Sequence, residues 1–343
     1  MATPKMKDVA DLAGVSIKTV SRVLNNEPHV QDVVREKVRA AVQKLNYIPS
    51  HSARSLRGSK SYNIGLVCHS GRNVYINAIQ FGAVIACQQR GYSLQVILPP
   101  PLSGRSLDEV IDVFTKLNSP QKPDGMLLVS PLANDPTISA ALDSLGIPVA
   151  RVGPISIDVS GVVVQINDHQ ATKEAIEHII ELGHRRIGFI RGHEAQRATH
   201  ERYDGYCAAL KEAGLPILPE IIHSGEFSFE SGLAAAEHLM SLKTPPTAIF
   251  ASNDDMAAGV IMAATKRGLS LPSDLSVFGF DDSEIAIRLL PNLTTVRQPL
   301  HELGELAASS LIDSMSGQTS AAPIILSHEL IVRDSVARIP NGR

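Results

Sequence analysis

KDVADLAGVSIKTVSRVLNN, residues 7–26, decides how the amino-terminal part of this chain folds. Lys7 to Ala13 reads as a short helix with Val9, Ala10 and Ala13 along one side, and it is followed by Gly14, a residue that accepts positive φ without penalty. Ser16 is placed to cap a second helix by accepting from its free amides, and Val20, Val23 and Leu24 give that helix a buried stripe. Two short helices therefore meet at a tight Gly14-Val15-Ser16 turn. Opposite the stripe, Ile17, Lys18, Ser21 and Arg22 share an outward face, where a helix-turn-helix reader presents side chains to base edges. Val34, Val38, Val42 and Leu45 recur at helical spacing and supply a third helix that closes a miniature core.

Working outward, Ser50-His51-Ser52-Ala53-Arg54-Ser55-Leu56 is short, polar and marginal as an isolated helix, so it needs a partner to fold or else serves as a linker. Residues 1–60 carry 11 Lys and Arg against 5 Asp and Glu, leaving 21 against 30 in the remainder. A cationic module on an anionic body suggests a polyanion partner for the front alone, through release of counterions from phosphates. A well-solvated helical surface is the plainer alternative. The full 343 residues allow two or three domains. A hydrophobic content of 44% with 20% charge is ordinary for a globular chain. No stretch approaches the ~20 apolar residues of a membrane span, and the first residues lack the apolar run of a secretory signal, so a cytoplasmic protein is expected. Cys68, Cys87 and Cys207 lie far apart without metal-site spacing and are expected to be buried thiols.

From Asn63 onward apolar runs alternate with helical patterns. NIGLVC, SLQVIL, GMLLV and PVARV read as strands, with helices at Ile76 to Gln89, Leu107 to Leu117 and Thr137 to Leu145 between them. The pattern is expected to restart at VVVQI and continue through RRIGFI, EIIHS, TAIFAS and SVFGF. This βαβ rhythm implies two Rossmann-like halves, and such halves bind ligands outside the carboxyl ends of their strands. Polar residues gather there: His69, Ser70, Asn73 and Tyr75 after the first strand, Asn253 and Asp254 after TAIFAS, Asp281 and Asp282 after SVFGF. Such a crevice suits a polyhydroxylated guest. Individually these residues have plainer roles open to them, such as Asp281 capping a helix or Arg202 pairing with Glu201.

Taken together, AGVS, TVSRVLN, NY-x-P and ARSL, followed by GHRRIGFI, ERYDGY, FASNDDMAAG, SVFGFDD and LTTVRQP, resemble the LacI/GalR family of bacterial repressors over nearly the whole chain. The resemblance implies a small all-α helix-turn-helix headpiece and an α/β periplasmic-binding-protein-like body of two Rossmann-like subdomains. It divides the chain into a headpiece at 1–48, a hinge at 49–61, a first subdomain at 62–163 and 296–326, and a second at 164–292 and 327–338. Ile17, Lys18 and Arg22 match base-reading positions, Arg offering a forked contact to guanine and Ile an apolar one to thymine. Lys18 has phosphate contact open to it as well. Ser16, Thr19, Ser21 and Asn25 would bond the DNA backbone. Ala53 would permit close pairing of two hinge helices in the minor groove, and Leu56 would wedge into the central base step. In the body, Arg202, Asn253 and Asp281 fall on ligand contacts and Phe227 on an aromatic platform, with Asn73, Tyr75 and Ile79 along the opposite wall. A sugar suits them: a carboxylate accepts adjacent hydroxyls, Arg and Asn donate, and an aromatic face stacks on C–H groups.

Two departures from the family pattern stand out. The third helix opens at Val30-Gln31-Asp32, where a Ser or Thr cap is usual, so fraying is expected with Asp32 in partial compensation. The wall segment NVYINAIQ also differs from the common form. Without carboxyl-terminal leucine heptads a homodimer is expected, placing two headpieces on the half-sites of a palindromic double-stranded operator. The expected function is a repressor of carbohydrate-utilisation genes controlled by a mono- or oligosaccharide, with no cofactor, metal or catalytic residue and no membrane partner. The alternative is a sugar-binding or sugar-modifying α/β protein without a DNA role. No G-x-G-x-x-G, P-loop or G-x-S-x-G element follows a strand, and the paired carboxylates Asp254-Asp255 and Asp281-Asp282 point different ways, so an enzyme is not expected. A plain solute-binding protein fits the body but not the cationic front.

Overall fold

A computed structural model describes residues 4–24, 28, 30–45, 47, 60–69, 74–102, 104–117, 122–156, 159–318 and 322–339. The chain divides into two compact units, Met1–Tyr62 and Asn63–Arg343.

In the first unit, α1 (Met6–Ala13), α2 (Ile17–Leu24) and α3 (Asp32–Lys44) enclose a small core. Gly14 ends α1 at φ 65°, and the Val15 amide returns to the Ala10 carbonyl at 3.0 Å, the reversal that only a residue free of Cβ strain makes cheaply. Ser16 Oγ accepts from the Thr19 amide at 3.1 Å and so starts α2. Val9, Val20, Val23, Val38 and Ala41 meet in the core with Tyr47. Gln31 caps α3 without a side-chain bond, and Asp32 occupies the first turn, as the missing hydroxyl leads one to expect.

The second unit holds two six-stranded sheets. The first contains β1 (Asn63–Val67), β2 (Ser93–Ile97), β3 (Gly125–Val129), β4 (Val149–Val152), β5 (Val162–Ile166) and β11 (Ile324–Leu326), in the order β11-β5-β4-β3-β1-β2 and all parallel. The second contains β6 (Ile187–Ile190), β7 (Ile222–His223), β8 (Ala248–Ala251), β9 (Ser276–Asp281), β10 (Thr294–Arg297) and β12 (Glu329–Ile331), in the order β12-β10-β9-β8-β6-β7. Only β12 runs antiparallel, against β10. Wholly buried strands such as NIGLV and GMLLV belong to parallel sheets covered on both faces.

The covering helices pack in pairs: α4 (Val74–Gln89) on α11 (Leu300–Ser314), α5 (Leu107–Leu117) on α6 (Pro136–Ser144), α7 (Asp168–Glu181) on α8 (Arg197–Glu212), and α9 (Phe229–Ser241) on α10 (Asp254–Lys266). The α4–α11 pair is in backbone contact through glycines: a Cβ on Gly82 would collide with the His301 carbonyl, and one on Gly304 with the Ile79 carbonyl. The chain crosses between the sheets three times: after β5, between β10 and α11, and between β11 and β12.

Two boundaries move from their expected places. VVVQI does not open the second half; it pairs in parallel with β4, so the first half extends to Ile166 and not to 163. Thr294–Arg297 pairs with β9, so the second half runs through Arg297 and the return to the first comes later than 296. An all-apolar run announces a strand but not its neighbour, which only long-range pairing fixes. Cys68 and Cys87 are buried as free thiols, whereas Cys207 is half-buried.

Candidate ligand site and nucleic-acid face

Strand ends of both sheets converge on one cavity of about 840 Å³, open solvent at its mouth included. Ser130 follows β3, Gly153 follows β4, Gln165 and Ile166 end β5, Asn253 follows β8 and Asp281 ends β9. This is the crevice outside the carboxyl ends that doubly wound sheets use for ligands.

At its floor lies a buried ion pair. Arg202 reaches Asp168 Oδ1 from Nε and from its terminal nitrogen, both at 2.9 Å, and also donates to the Ser252 carbonyl. Its guanidinium carbon sits 3.5 Å above the centre of the Phe280 ring. Asp168 occupies the first position of α7, where the helix end favours a negative charge, and its other oxygen lies 3.6 Å from Arg197. The pairing of Arg202 with Glu201 does not occur; Glu201 pairs with Arg197 instead.

Above this floor, Asp281 Oδ1 accepts from Gln298 at 2.6 Å. Burial pushes the Asp281 carboxyl up to about 7, against the opposing pull of Arg202 and the Gln298 donor, with Asp255 and Asp168 adding to the rise. Burial and the neighbouring Asp281 raise Asp254 as well, although Thr295 and Ser283 donate to both of its oxygens. Asp254 is thus a buried brace between β10 and the loop after β9, outside the cavity wall. Asn253 has a bracing role too: its Oδ1 caps α10 at the Met256 amide and its Nδ2 donates to the Phe227 carbonyl, with the remaining hydrogen and lone pairs facing the cavity. Phe227 packs its ring on Gly192, where any Cβ would strike it. Phe227, Asp281 and Asp282 hold positive φ of 55°, 121° and 52°, conformations that persist for such residues only when the surroundings enforce them.

Tyr75, Arg202, Phe227, Asn253 and Asp281 therefore line a single cavity. Ile79 does not reach it: the side chain is wholly buried one turn below Tyr75, where α4 meets Gly304. Asn73 and Ser70 lie outside the described residues, and His69 is exposed at the end of β1. The residues that went unnoticed are Asp168, Gln165 and Gln298. The first two were legible by the strand-end rule once VVVQI was placed in the right sheet; Gln298 carries no local signal.

In the headpiece, Ser16, Ile17, Lys18 and Arg22 are exposed on α2, and Thr19 and Ser21 are half-buried beside them. The Ser16 and Thr19 hydroxyls lie 2.9 Å apart. Asn25, Ala53 and Leu56 fall outside the described residues, as does the whole stretch 48–59.

Residues 5–50 match the family described as bacterial regulatory proteins, lacI family, and residues 176–336 a periplasmic binding protein-like domain. The chain is 34% identical over 338 residues to the probable HTH-type transcriptional repressor ExuR of Bacillus subtilis (strain 168), covering 97% of this chain and 98% of that one. It is 35% identical over 319 residues to the ribose operon repressor of Escherichia coli (strain K12), covering 93% and 94%. Among solved structures, the lac repressor dimer bound to operator and the anti-inducer ONPF aligns with a TM-score of 0.79 at 28% identity, over 98% of this chain and 100% of that chain. A complex of the transcriptional regulator CelR with cellobiose aligns at 0.72 and 31%, over 97% and 99%.

Proposed function

The chain belongs to the lacI family of bacterial regulatory proteins, and from that membership we propose that it is a transcriptional repressor whose body binds a small sugar that sets the grip of its headpiece on an operator. The observation that carries this reading is the convergence of Asp281, Arg202 and Phe227, held by strained backbone and a buried ion pair, on one cavity in the same chain as an exposed α2 reading face. The names of the relatives, a ribose operon repressor and a regulator in complex with cellobiose, support a sugar as the guest and carbohydrate use as the regulated process.

Residues 1–48 are the DNA-binding headpiece and 49–61 the hinge, where Ala53 and Leu56 enter the minor groove; Asn25 holds the DNA backbone with Ser16, Thr19 and Ser21. The repressor acts as a homodimer on a palindromic double-stranded site. In support, α4 and its neighbour β2 expose Phe81, Val96 and Leu98, apolar surface of the kind two copies bury. No helix among the described residues is long and apolar enough to cross a membrane, in keeping with a cytoplasmic repressor. The lining serines Ser130 and Ser283 bond an amide and a structural carboxylate, and the relatives are regulators, which supports a binding protein over an enzyme.

Control follows by linkage. A guest that bridges both halves prefers one disposition of them, and its influence on operator affinity is bounded by that preference, typically ~1–3 kcal/mol. Fluorescence anisotropy of a labelled operator, selected from a random duplex library, should rise on adding the repressor and fall on adding the right sugar. Operator affinity that no sugar, sugar acid or purine changes would refute ligand control.

The site also fixes a pH response. Asp281 is neutral below about 7 and ionised above it. Guest hydroxyls donate to the ionised form, whose fraction rises from roughly one-tenth at pH 6 to roughly nine-tenths at pH 8. For a neutral sugar, calorimetry should therefore show affinity rising up to about ninefold over that interval. A flat profile would place the carboxylate outside the binding contacts.

A further inference from the structure

Among the described residues, the charges lining the cavity are three carboxylates, Asp168, Asp255 and Asp281, and one guanidinium, Arg202. Asp168 and Arg202 neutralise each other through two contacts of 2.9 Å, and Arg202 also donates to the Ser252 carbonyl and stacks on the Phe280 ring. Among the described residues, Asp255 and Asp281 have no ion-pair partner. Asp281 receives one amide donor, from Gln298, on one of its two oxygens. Asp255, half-buried at the start of α10, makes no hydrogen bond or ion pair among the described residues. The positive end of α10 favours an acidic residue at this position but puts no donor against its carboxylate.

Two independent features agree with a guest that supplies the missing donors. Gln165, 95% buried and lining the same cavity, has an Oε1 with no hydrogen-bond partner among the described residues, an acceptor that a donor from a guest would satisfy. The groove that leads outward from the cavity, sharing Asp255 and Asp281 with it, adds Asp282, Glu284 and Glu302 against only Arg288 and Arg297. Arg288 pairs with Glu284, and Arg297 and Arg333 pair with Asp282, so these charges offset one another and Glu302 is the acid the groove adds without an ion pair among the described residues. An anionic guest would arrive at two carboxylates that have no ion-pair partner among the described residues, whereas a cation satisfies them, adding at Asp281 to the field of Arg202.

Resting on the reading of the body as a sugar-binding repressor core, we propose that the guest is an aminated sugar, its ammonium held by Asp255 and Asp281 while its hydroxyls meet Gln165, Asn253 and Arg202 and its ring lies against Phe227. Burial raises both carboxyls, with Glu230 adding to the rise at Asp255, and at Asp281 the rise persists against the pull of Arg202.

Calorimetry on the full-length protein at pH 7 tests this with glucose, galactose and mannose, each beside its 2-amino and its 6-carboxylate derivative. In at least one series the amino sugar should bind about tenfold more tightly than the parent hexose, and the uronate weakest of the three. Asp255→Asn should collapse the amino-to-neutral ratio towards one, with an unchanged melting profile certifying the fold. A uronate or neutral hexose that binds as tightly as its amine overturns the proposal, as does the absence of binding by every amine, or a ratio that survives Asp255→Asn. Operator anisotropy run in parallel separates the two readings. A neutral hexose that shifts operator affinity at concentrations as low as its amine sinks the aminated guest and leaves the repressor standing; a protein that ignores duplex DNA sinks the repressor and leaves the calorimetric ranking intact.

Discussion

Arg202→Ala is expected to abolish the response of operator binding to ligand and to destabilise the body by about 3–5 kcal/mol, because it leaves the carboxylate of Asp168 buried without its partner. The pair is nearly inaccessible, with side chains 4% and 9% exposed, so water cannot replace the lost donors. Arg197, at 3.6 Å from the other Asp168 oxygen, retains part of the compensation and sets the lower end of that range. Two further losses accompany the charge. The Ser252 carbonyl after β8 loses its donor, and the face of Phe280 loses a cation stacked at 3.5 Å. Denaturant unfolding of the body, with operator binding as the readout of an intact headpiece, measures the effect. The double change Arg202→Met with Asp168→Leu should recover most of the stability, since a buried pair replaced by apolar groups is often neutral or better, yet it should leave the ligand response absent. If the double variant responds to ligand, the pair is scaffolding and the ligand contacts lie elsewhere.

That contrast separates two functions that the same residues serve. Asp168 and Arg202 lock α7 to α8 and to the strand end at Ser252. Asp254 locks β10 to the loop after β9, and Asn253 locks α10 to the Phe227 backbone. Each brace belongs to the second sheet's half of the body, while Tyr75, Ser130 and Gln165 face it from the first. One wall is therefore cross-linked by hydrogen bonds and charge, and the halves are joined by three chain crossings. A guest that bonds to both walls ties a rigid half to its partner, which is the differential contact a conformational linkage requires.

Much of this was legible in the residues, for identifiable reasons. The headpiece reads almost without loss because its determinants are local: a glycine at positive φ, a serine cap three residues before its amide partner, and valines at helical spacing. The first four strands read well because long apolar runs between turn residues leave little choice. What failed depended on distant pairing. VVVQI was visible as a strand, but its partner β4 was not, and the error hid Asp168 behind it. Strands β10, β11 and β12 are three or four residues long, and β10 and β12 carry polar members, so they are too short for any period to show. Ile79 shares a helix face with Tyr75, so spacing could not part them. The larger side chain reaches the cavity, while its neighbour one turn on is wholly buried.

The headpiece carries the second large effect. Arg22→Ala should weaken binding to the selected operator by about 1–3 kcal/mol per half-site, and therefore by roughly 30-fold to 10⁴-fold for a dimer that uses two copies of the contact. The helix should survive the change, since Arg22 is exposed and the residues that fix α2 in the core, Val20 and Val23, lie on the other face. Removing a cation from the last turn costs the helix only ~0.3–1 kcal/mol through the dipole. If Arg22 forks onto a guanine, the loss should fall on the cognate sequence, with random duplex bound almost as before and discrimination at that base pair relaxed. Lys18→Ala provides the counterpart. Should Lys18 touch phosphate alone, binding to cognate and random duplex falls equally and the slope of affinity against salt decreases by about 1 per contact. The two substitutions lie on one exposed face of one short helix. A general loss of helix or of charge would make them behave alike, and only a base contact at one and a phosphate contact at the other would make them differ in sequence dependence and in salt dependence at once. Equal losses on cognate and random DNA for both variants would remove Arg22 from the reading surface.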